Sequence, residues 1–197
     1  MNTKLVVAIF LLIGSGFGAW VALGRGGGSD SNSGGLSPIN EASPVPAPEF
    51  TGVTDWINSK PLKLADQKGK VVVVHFWTNG CINCIHNYPY YRAWQKKYKD
   101  DKNFLIIGVH TPEFDAEKDV ARIKERMAKN KLTFAVAVDN GGANWKAWGN
   151  RFWPAIYLVD KNGTVRHRWE GELGNEGYKT VTAQIDELLA EKRGKGK

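Results

Sequence analysis

The sequence predicts an α/β fold of three layers, in which a central mixed sheet is covered by helices on both faces. The first observation is a set of apolar, β-branched segments without polar alternation, such as Val71–Trp77, as expected of strands buried on both faces. The second is that segments with apolar residues at helical spacing separate strands and close the chain, as in Tyr178–Glu191. Strands of this kind need helices on both faces of their sheet.

The predicted elements follow one another without an internal repeat. In chain order they are the strand Val71–Trp77, the helix Cys81–Tyr98 interrupted only by Pro89, the strand Phe104–Val109, the helix Asp115–Asn130, the strands Thr133–Val138, Ala155–Val159 and Thr164–Trp169, and the helix Tyr178–Glu191. Asp115 is suited to cap the second helix, because a carboxylate can accept hydrogen bonds from its unpaired N–H groups. Asp160–Gly163 is a hairpin turn signal.

The regions outside this domain differ from it in composition. Leu5–Leu23 is a run of 19 residues without a charge, and a helix of that length spans about 28 Å, enough to cross a bilayer core. We predict an N-terminal transmembrane anchor at residues 1–23, favoured over a cleaved signal peptide by its length and poor cleavage site. Residues 24–49, rich in Gly, Ser and Pro, are predicted as a flexible linker, 50–192 as the folded domain and 193–197 as a basic tail.

Charge gives an orientation for the chain. The amino terminus and Lys4 precede the uncharged run and Arg25 follows it, which predicts the N-terminus inside and the folded domain outside. The predicted location is therefore a bacterial inner (cytoplasmic) membrane, crossed once, with the catalytic domain on the extracytoplasmic, periplasmic side. The formal net charge is +7, and positive residues cluster in the last six positions. We interpret this tail as solvated chain and predict no nucleic-acid partner.

The chain has two cysteines, Cys81 and Cys84, too few and too close for a disulfide-stapled scaffold. They follow a predicted strand and open a predicted helix, where unpaired N–H groups and the helix dipole favour a thiolate. A second thiol one turn along can resolve a mixed disulfide within the same molecule. The motif predicts Cys81 as the exposed nucleophile and Cys84 as the resolving thiol.

Other sites use the same cysteine spacing. A structural zinc site needs a second pair of ligands, and the sequence has no second Cys-x-x-Cys and no His-x-x-x-His. Haem attachment needs His directly after the second cysteine, where Ile85 stands. A structural disulfide stays possible, but the order strand, motif, helix favours redox function. We predict no metal site and no cofactor besides the redox-active disulfide itself.

Four sequence segments carry a resemblance to a known family: Phe76–Cys84, Tyr88–Trp94, Val109–Phe114 and Asn150–Ala155. The chain resembles the thioredoxin superfamily and, within it, the membrane-tethered TlpA/ResA group of thiol–disulfide oxidoreductases, with the DipZ-like branch most similar. The resemblance extends over most of residues 56–190, and these segments occur in the expected order. The resemblance implies a thioredoxin-like fold and an exchange of thiols and disulfides with other proteins.

The resemblance also implies substrate contacts. Pro154, at the start of a strand, matches the position of the family's cis-proline beside the disulfide, and the backbone before it is expected to pair with a substrate peptide. Trp153, Pro154 and Trp77 are the substrate-binding residues that follow from this match.

Two residues are candidates for the base that takes the proton of Cys84 during resolution. His75 stands six residues before Cys81, where cytoplasmic thioredoxin has a buried Asp, and Glu113 stands where the extracytoplasmic relatives have Glu. Each has an ordinary alternative, a hydrogen-bonded core residue for His75 and an exposed loop carboxylate for Glu113.

The predicted function is that of an extracytoplasmic protein thiol:disulfide oxidoreductase, which reduces protein disulfides with electrons from a membrane donor. The resemblance suggests apocytochrome c, in cytochrome c maturation, or misoxidised envelope proteins as substrates. One alternative is a peroxiredoxin-like peroxide reductase, because Thr78 and Cys81 read Thr-x-x-Cys, although Val74 stands where those enzymes have Pro. The other is a copper-binding chaperone that uses both thiols and His110 or His167.

Overall fold

The computed structural model describes residues 45–192, whose centre is a mixed sheet of seven strands. The strands are β1 (Val45–Pro46), β2 (Asp55–Ile57), β3 (Val71–Trp77), β4 (Phe104–His110), β5 (Ala135–Val138), β6 (Ala155–Val159) and β7 (Thr164–Glu170). Their order across the sheet is β1-β7-β6-β3-β4-β5-β2. Strands β3, β4 and β5 run parallel, and β1, β2, β6 and β7 pair with their neighbours antiparallel.

The central strand is β3, flanked by β4 on one side and β6 on the other. All seven of its residues are buried, as the run of valines and aromatic residues predicted. Parallel pairing brings the carboxyl ends of β3, β4 and β5 to the same edge of the sheet. The loops after these strands therefore meet at one edge.

Helices complete the three layers. They are α1 (Ile82–Lys97), α2 (Val120–Lys129), α3 (Ala143–Ala147) and α4 (Gly174–Ala190), with 3-10 helices at Leu64–Gln67 and Asp115–Lys118. Buried residues of α1, α2 and α4 pack on one face of the sheet in a single core. Trp145 of α3, Leu64 and residues of the N-terminal segment pack against the other face. The predicted three-layer thioredoxin-like fold is confirmed.

The folded part of the chain begins before the predicted boundary at residue 50. Val45 and Pro46 pair with β7, and the Glu49 carboxylate accepts hydrogen bonds from the backbone N–H groups of Leu64 and Ala65 at 2.7 and 3.0 Å. Residues 45–49, predicted as linker, therefore belong to the domain. The proline-rich composition of residues 45–49 does not predict that they belong to the domain, because they form only a short edge strand and contribute few apolar side chains.

The predicted anchor at residues 1–23, the rest of the linker and the tail at 193–197 lie outside the described residues. Within residues 45–192 the structure has no helix with the length and apolar character of a membrane span.

The segment predicted as one helix, Asp115–Asn130, is divided. A 3-10 helix covers Asp115–Lys118, and α2 starts at Val120 with Asp119 as its cap. The Asp119 carboxylate accepts from the N–H groups of Ala121 and Arg122 at 2.9 and 3.5 Å, so the predicted capping chemistry occurs four residues later than expected.

One glycine of the sheet is required by close packing. A Cβ atom on Gly108 of β4 would lie 3.0 Å from the Nε2 atom of His75 and 3.0 Å from the Nε1 atom of Trp77. Glycine therefore allows two large rings of β3 to lie against β4.

Candidate active site

The two cysteines lie where β3 ends and α1 begins, and they form a disulfide with Cα atoms 5.2 Å apart. Cys81 is the N-cap of α1, and its Sγ atom accepts a hydrogen bond from the Cys84 N–H group at 3.1 Å. Cys81 is partly exposed, whereas Cys84 is fully buried. An electron-rich sulfur at an N-cap is stabilised by the same unpaired N–H groups that stabilise oxygen caps.

Helix α1 is held against the sheet by large side chains on one face. Tyr88, Tyr91 and Trp94 are buried behind Cys84 at helical spacing. Asn87 connects the helix to the loop before α4, because its Oδ1 atom accepts from the Leu173 N–H group at 2.9 Å. These contacts fix the start of α1, and with it the position of both sulfur atoms.

A buried carboxylate that the sequence analysis did not select holds the loop before Cys81. The side chain of Glu117 accepts four hydrogen bonds, at 2.5–3.3 Å, from the hydroxyl of Thr78 and the backbone N–H groups of Gly80, Glu113 and Phe114. It joins the loop after β3 to the loop after β4. We call Glu117 with its four donors the Glu117 clamp.

Burial alone would raise the pKa of Glu117, but the hydrogen bonds from Thr78, Glu113, Gly80 and Phe114 outweigh it and hold the pKa below its usual value. The side chain is therefore an ionised acceptor at neutral pH. Thr78 continues the network to His110, whose Nε2 atom lies 3.5 Å from the Thr78 hydroxyl.

Glu113, the predicted base, does not occupy this buried position. Its side chain is exposed, and the contact that it makes to the clamp comes from its backbone N–H group. The structure thus places the buried carboxylate of the loop after β4 at Glu117, four residues from the predicted position. The 3-10 turn at residues 115–118 rotates Glu117 inwards, which the predicted continuous helix did not allow for.

His75 is fully buried on the α1 side of the sheet. Its ring stacks on Tyr91 with centroids 4.2 Å apart and meets Phe134 edge-on at 4.7 Å. Burial lowers the pKa of His75 to about 3, and neither ring nitrogen has a hydrogen-bond partner among the described residues. A neutral imidazole with so low a pKa is a weak proton acceptor near neutral pH.

Trp77 is also fully buried, which corrects its prediction as a substrate contact. Its ring packs edge-on against Tyr88 and His110, with centroids 6.0 and 5.1 Å away. It is therefore a core residue beneath the cysteine loop, without surface that a substrate could reach.

Trp153 and Pro154 stand before β6 and are joined by a cis peptide bond, as the resemblance implied. The Trp153 indole N–H group donates to the backbone carbonyl of Thr111 at 3.1 Å, and its ring lies against Trp145 with centroids 4.0 Å apart. Trp153 is partly exposed and borders the same core as Cys81. It is available at the surface, unlike Trp77.

The arrangement suits a reversible exchange of disulfides. A partly exposed sulfur caps a helix, a buried sulfur lies one turn further on, and a cis-proline precedes β6. With the fold, these features define the class of thioredoxin-like thiol–disulfide oxidoreductases. The chain belongs to the AhpC/TSA family, whose sequence profile matches residues 45–168.

Individual relatives agree with this assignment. The chain is 39% identical to the protein DipZ of Mycobacterium tuberculosis over 71% of its own length, but it spans only 20% of DipZ. It is 35% identical to the thiol–disulfide oxidoreductase ResA of Bacillus thuringiensis, covering 73% of this chain and 74% of ResA. The solution structure of an oxidised thioredoxin-like protein matches with a TM-score of 0.65 and 30% identity, over 75% of this chain and 96% of that one. The predicted resemblance to ResA and DipZ is confirmed.

The sequence did not predict the Glu117 clamp, because the residues that form it do not make up a recognisable sequence motif. Thr78 was noted only as part of a Thr-x-x-Cys pattern, and Gly80 as part of the family signature. One signal was present: polar residues follow two neighbouring parallel strands, and the ends of such strands lie side by side. A search for a partner of Thr78 in the loop after β4 would have identified the acidic residues of that loop as candidates.

Proposed function

We propose that this protein is an extracytoplasmic thiol:disulfide oxidoreductase that reduces disulfides of other proteins through a mixed disulfide on Cys81. The observation that carries the proposal is the unequal exposure of the two sulfur atoms. Cys81 is partly open to solvent at the N-cap of α1, while Cys84 is buried behind it. This asymmetry suits a sequence in which Cys81 reacts with the partner and Cys84 reacts afterwards.

In the first step the reduced protein attacks the disulfide of the substrate. The Cys81 thiolate forms a bond to one sulfur of the substrate disulfide, whose other sulfur leaves as a thiolate and takes up a proton. The backbone N–H group of Cys84 donates to the Cys81 sulfur and supports its negative charge before the attack. Trp153 and the backbone before Pro154 are the proposed contacts to the substrate peptide.

In the second step Cys84 loses its proton and attacks the Cys81 sulfur. The bond between Cys81 and the substrate breaks, the second substrate thiol is released, and the protein holds the Cys81–Cys84 disulfide. Two electrons have passed to the substrate, so a dithiol donor must reduce the protein again. Glu113 and His75 stay the candidate bases for Cys84, and the exposed Glu113 can exchange its proton with water more readily than the buried His75.

The proposed location is the bacterial inner membrane, with residues 1–23 as a single-pass anchor and the folded domain on the extracytoplasmic side. The support is the uncharged run in the sequence. A membrane protein would then supply the electrons, and apocytochrome c or misoxidised envelope proteins are the proposed substrates.

The peroxide-reducing alternative depends on Thr78. The hydroxyl hydrogen of Thr78 is donated to Glu117 at 2.7 Å, which gives this threonine a structural explanation independent of peroxide. A peroxide-consumption assay tests that alternative. An anaerobic copper titration of the reduced protein tests the alternative that it is a copper-binding chaperone.

The decisive experiment is to trap the mixed disulfide. Cys84→Ala should accumulate covalent adducts with disulfide substrates, because no thiol remains to release them, and mass spectrometry should locate each adduct on Cys81. Cys81→Ser is the matched control and should form none. Adducts on Cys84 in Cys81→Ser, at the rate seen for Cys84→Ala, would contradict the assigned order of the two cysteines.

A further inference from the structure

A cavity of about 370 Å³ lies directly beside the cysteine loop. Asn79 and Gly80 form its wall on the loop side, and one face of α2 forms the other. Gly80 directly precedes Cys81 in the chain, so the cavity is bordered by the loop that carries the reacting cysteine. We call it the α2 cavity.

Three basic side chains of α2 line the cavity: Arg122, Arg126 and Lys129. Their spacing of four and three residues places them on one side of the helix. Arg126 is half-buried, and neither its guanidinium nor the Lys129 ammonium group has a hydrogen bond or ion pair within the described chain. Arg122 has one exposed partner, Asp119, at 3.6 Å. Two of the three cationic groups, those of Arg126 and Lys129, thus have no ion-pair partner among residues 45–192.

The acidic groups of the lining leave a net positive charge. The carboxylate of Glu117 is occupied by its four hydrogen-bond donors. Glu125, which also lines the cavity, is exposed to solvent. Arg126 and Lys129 therefore face Glu125, because Arg122 is paired with Asp119 and the Glu117 carboxylate is already compensated by the clamp.

The side chain of Asn79 provides a second, independent observation at the α2 cavity. Its side chain lines the cavity and is only 9% exposed, yet its Oδ1 atom has no partner among residues 45–192. A buried amide is costly when its hydrogen-bonding capacity is unused. A peptide entering the cavity could satisfy this amide with its backbone.

We propose that the α2 cavity binds an acidic side chain of the substrate protein, close in sequence to the substrate's reacting cysteine. Arg126 is the main anchor, because a guanidinium can hold a carboxylate with two parallel hydrogen bonds. Lys129 adds charge at the rim, and the Asn79 amide pairs with the substrate backbone. The inference rests on the proposed function and defines its substrates as proteins with Asp or Glu near the cysteine.

The test compares disulfide-linked peptides that are identical except for two positions beside the cysteine, occupied by Glu, Gln or Lys. We expect kcat/KM for the Glu peptide to exceed that for the Gln peptide by about ten-fold at low salt, with the Lys peptide slowest. Arg126→Glu should abolish or reverse the Glu/Gln ratio, and the exposed Lys129→Glu should reduce it. Lys124→Glu is the matched control, because Lys124 is an exposed cation of the same helix that does not line the cavity.

Each other outcome has a distinct meaning. Reduction of all three wild-type peptides at equal rates would overturn the acidic-substrate inference and leave the proposed function intact. An equal loss of preference in Lys124→Glu would also overturn it, because overall charge rather than the cavity would then be responsible. Failure to reduce any peptide would overturn the proposed function itself. If Arg126→Glu does not fold, the Lys129→Glu variant alone tests the inference. An unchanged Glu/Gln ratio of kcat/KM in that variant would then overturn the assignment of acidic side chains to the α2 cavity.

Discussion

Replacing Glu117 by Gln tests whether a buried carboxylate holds the loop that carries Cys81. One carboxylate oxygen accepts from Thr78, Glu113 and Phe114, and the other accepts from Gly80. A glutamine that keeps its carbonyl oxygen in the first position must turn its NH₂ group towards the Gly80 N–H group. Two donors would then face each other, and the Gly80 N–H group would lose its acceptor.

The expected loss follows from these bonds. A hydrogen bond to a charged group contributes about 1.5–3 kcal/mol, and an unsatisfied buried donor costs about 1–3 kcal/mol. We therefore expect Glu117→Gln to lower the free energy of unfolding by about 2–3 kcal/mol at pH 7, measured by urea denaturation of the oxidised protein. Glu113→Gln is the matched control, since its exposed side chain makes no contact to the clamp, and its effect should stay within about 0.5 kcal/mol.

The difference between wild type and Glu117→Gln should also depend on pH with a definite sign. Because the native pKa of Glu117 lies below 4.5, the unfolded state takes up the proton first as the pH falls. The stabilisation by Glu117 is thus complete above pH 4.5 and is lost as the pH falls through the native pKa. Equal urea midpoints for Glu117→Gln and Glu113→Gln would refute the stabilising role of the Glu117 clamp. A stability difference between wild type and Glu117→Gln that does not shrink in acid would refute it as well.

Three further predictions concern two core residues and the N-terminal segment. Gly108→Ala should cost about 1–3 kcal/mol of stability in thermal or urea unfolding, because its Cβ atom would press on His75 and Trp77; an unchanged Tm would show that β3 and β4 separate easily. The native pKa of His75 is lowered, so stability should fall as the pH drops below 6.5 towards 3, by at most about 1.4 kcal/mol per pH unit for one proton. His75→Phe should make that decline shallower, and an identical slope would mean that His75 is protonated in the native state. The full-length protein should fractionate with membranes, whereas soluble protein beginning near Arg25 would show that the leader is cleaved.

Much of the fold could be predicted because its strands are buried on both faces. The run Val71–Trp77 has no polar residue except His75, and its predicted limits match β3. The elements that were missed are short or lie at the edges: β2 has three residues, and α3 has five. Segments of this length contain too few periods for a hydrophobic pattern to appear. Their positions depend on contacts with distant parts of the chain.

The site could be predicted only as far as local sequence determines it. Cys81 and Cys84 are defined by spacing and by their place between a strand and a helix, and the structure positions them at the N-cap and first turn of α1. The position of the buried carboxylate depended instead on the 3-10 turn Asp115–Lys118, in which Glu117 is buried, whereas Glu113 precedes the turn and is exposed. No periodic signal distinguishes two acidic residues four positions apart in a loop.

The same polar contacts explain how three loops from separate strands can form one site. Thr78 after β3 donates to Glu117, and Thr111 after β4 donates to Asp139 after β5 at 3.0 Å. The carbonyl of Thr111 in turn accepts from the indole of Trp153. Each loop beside the cysteines is therefore fixed by a buried hydrogen bond to the next, and such bonds have defined geometry whereas apolar packing tolerates sliding. A disulfide exchange needs three sulfur atoms in line. We infer that polar contacts of defined geometry hold the loops at this edge of the sheet in the positions that such an exchange needs.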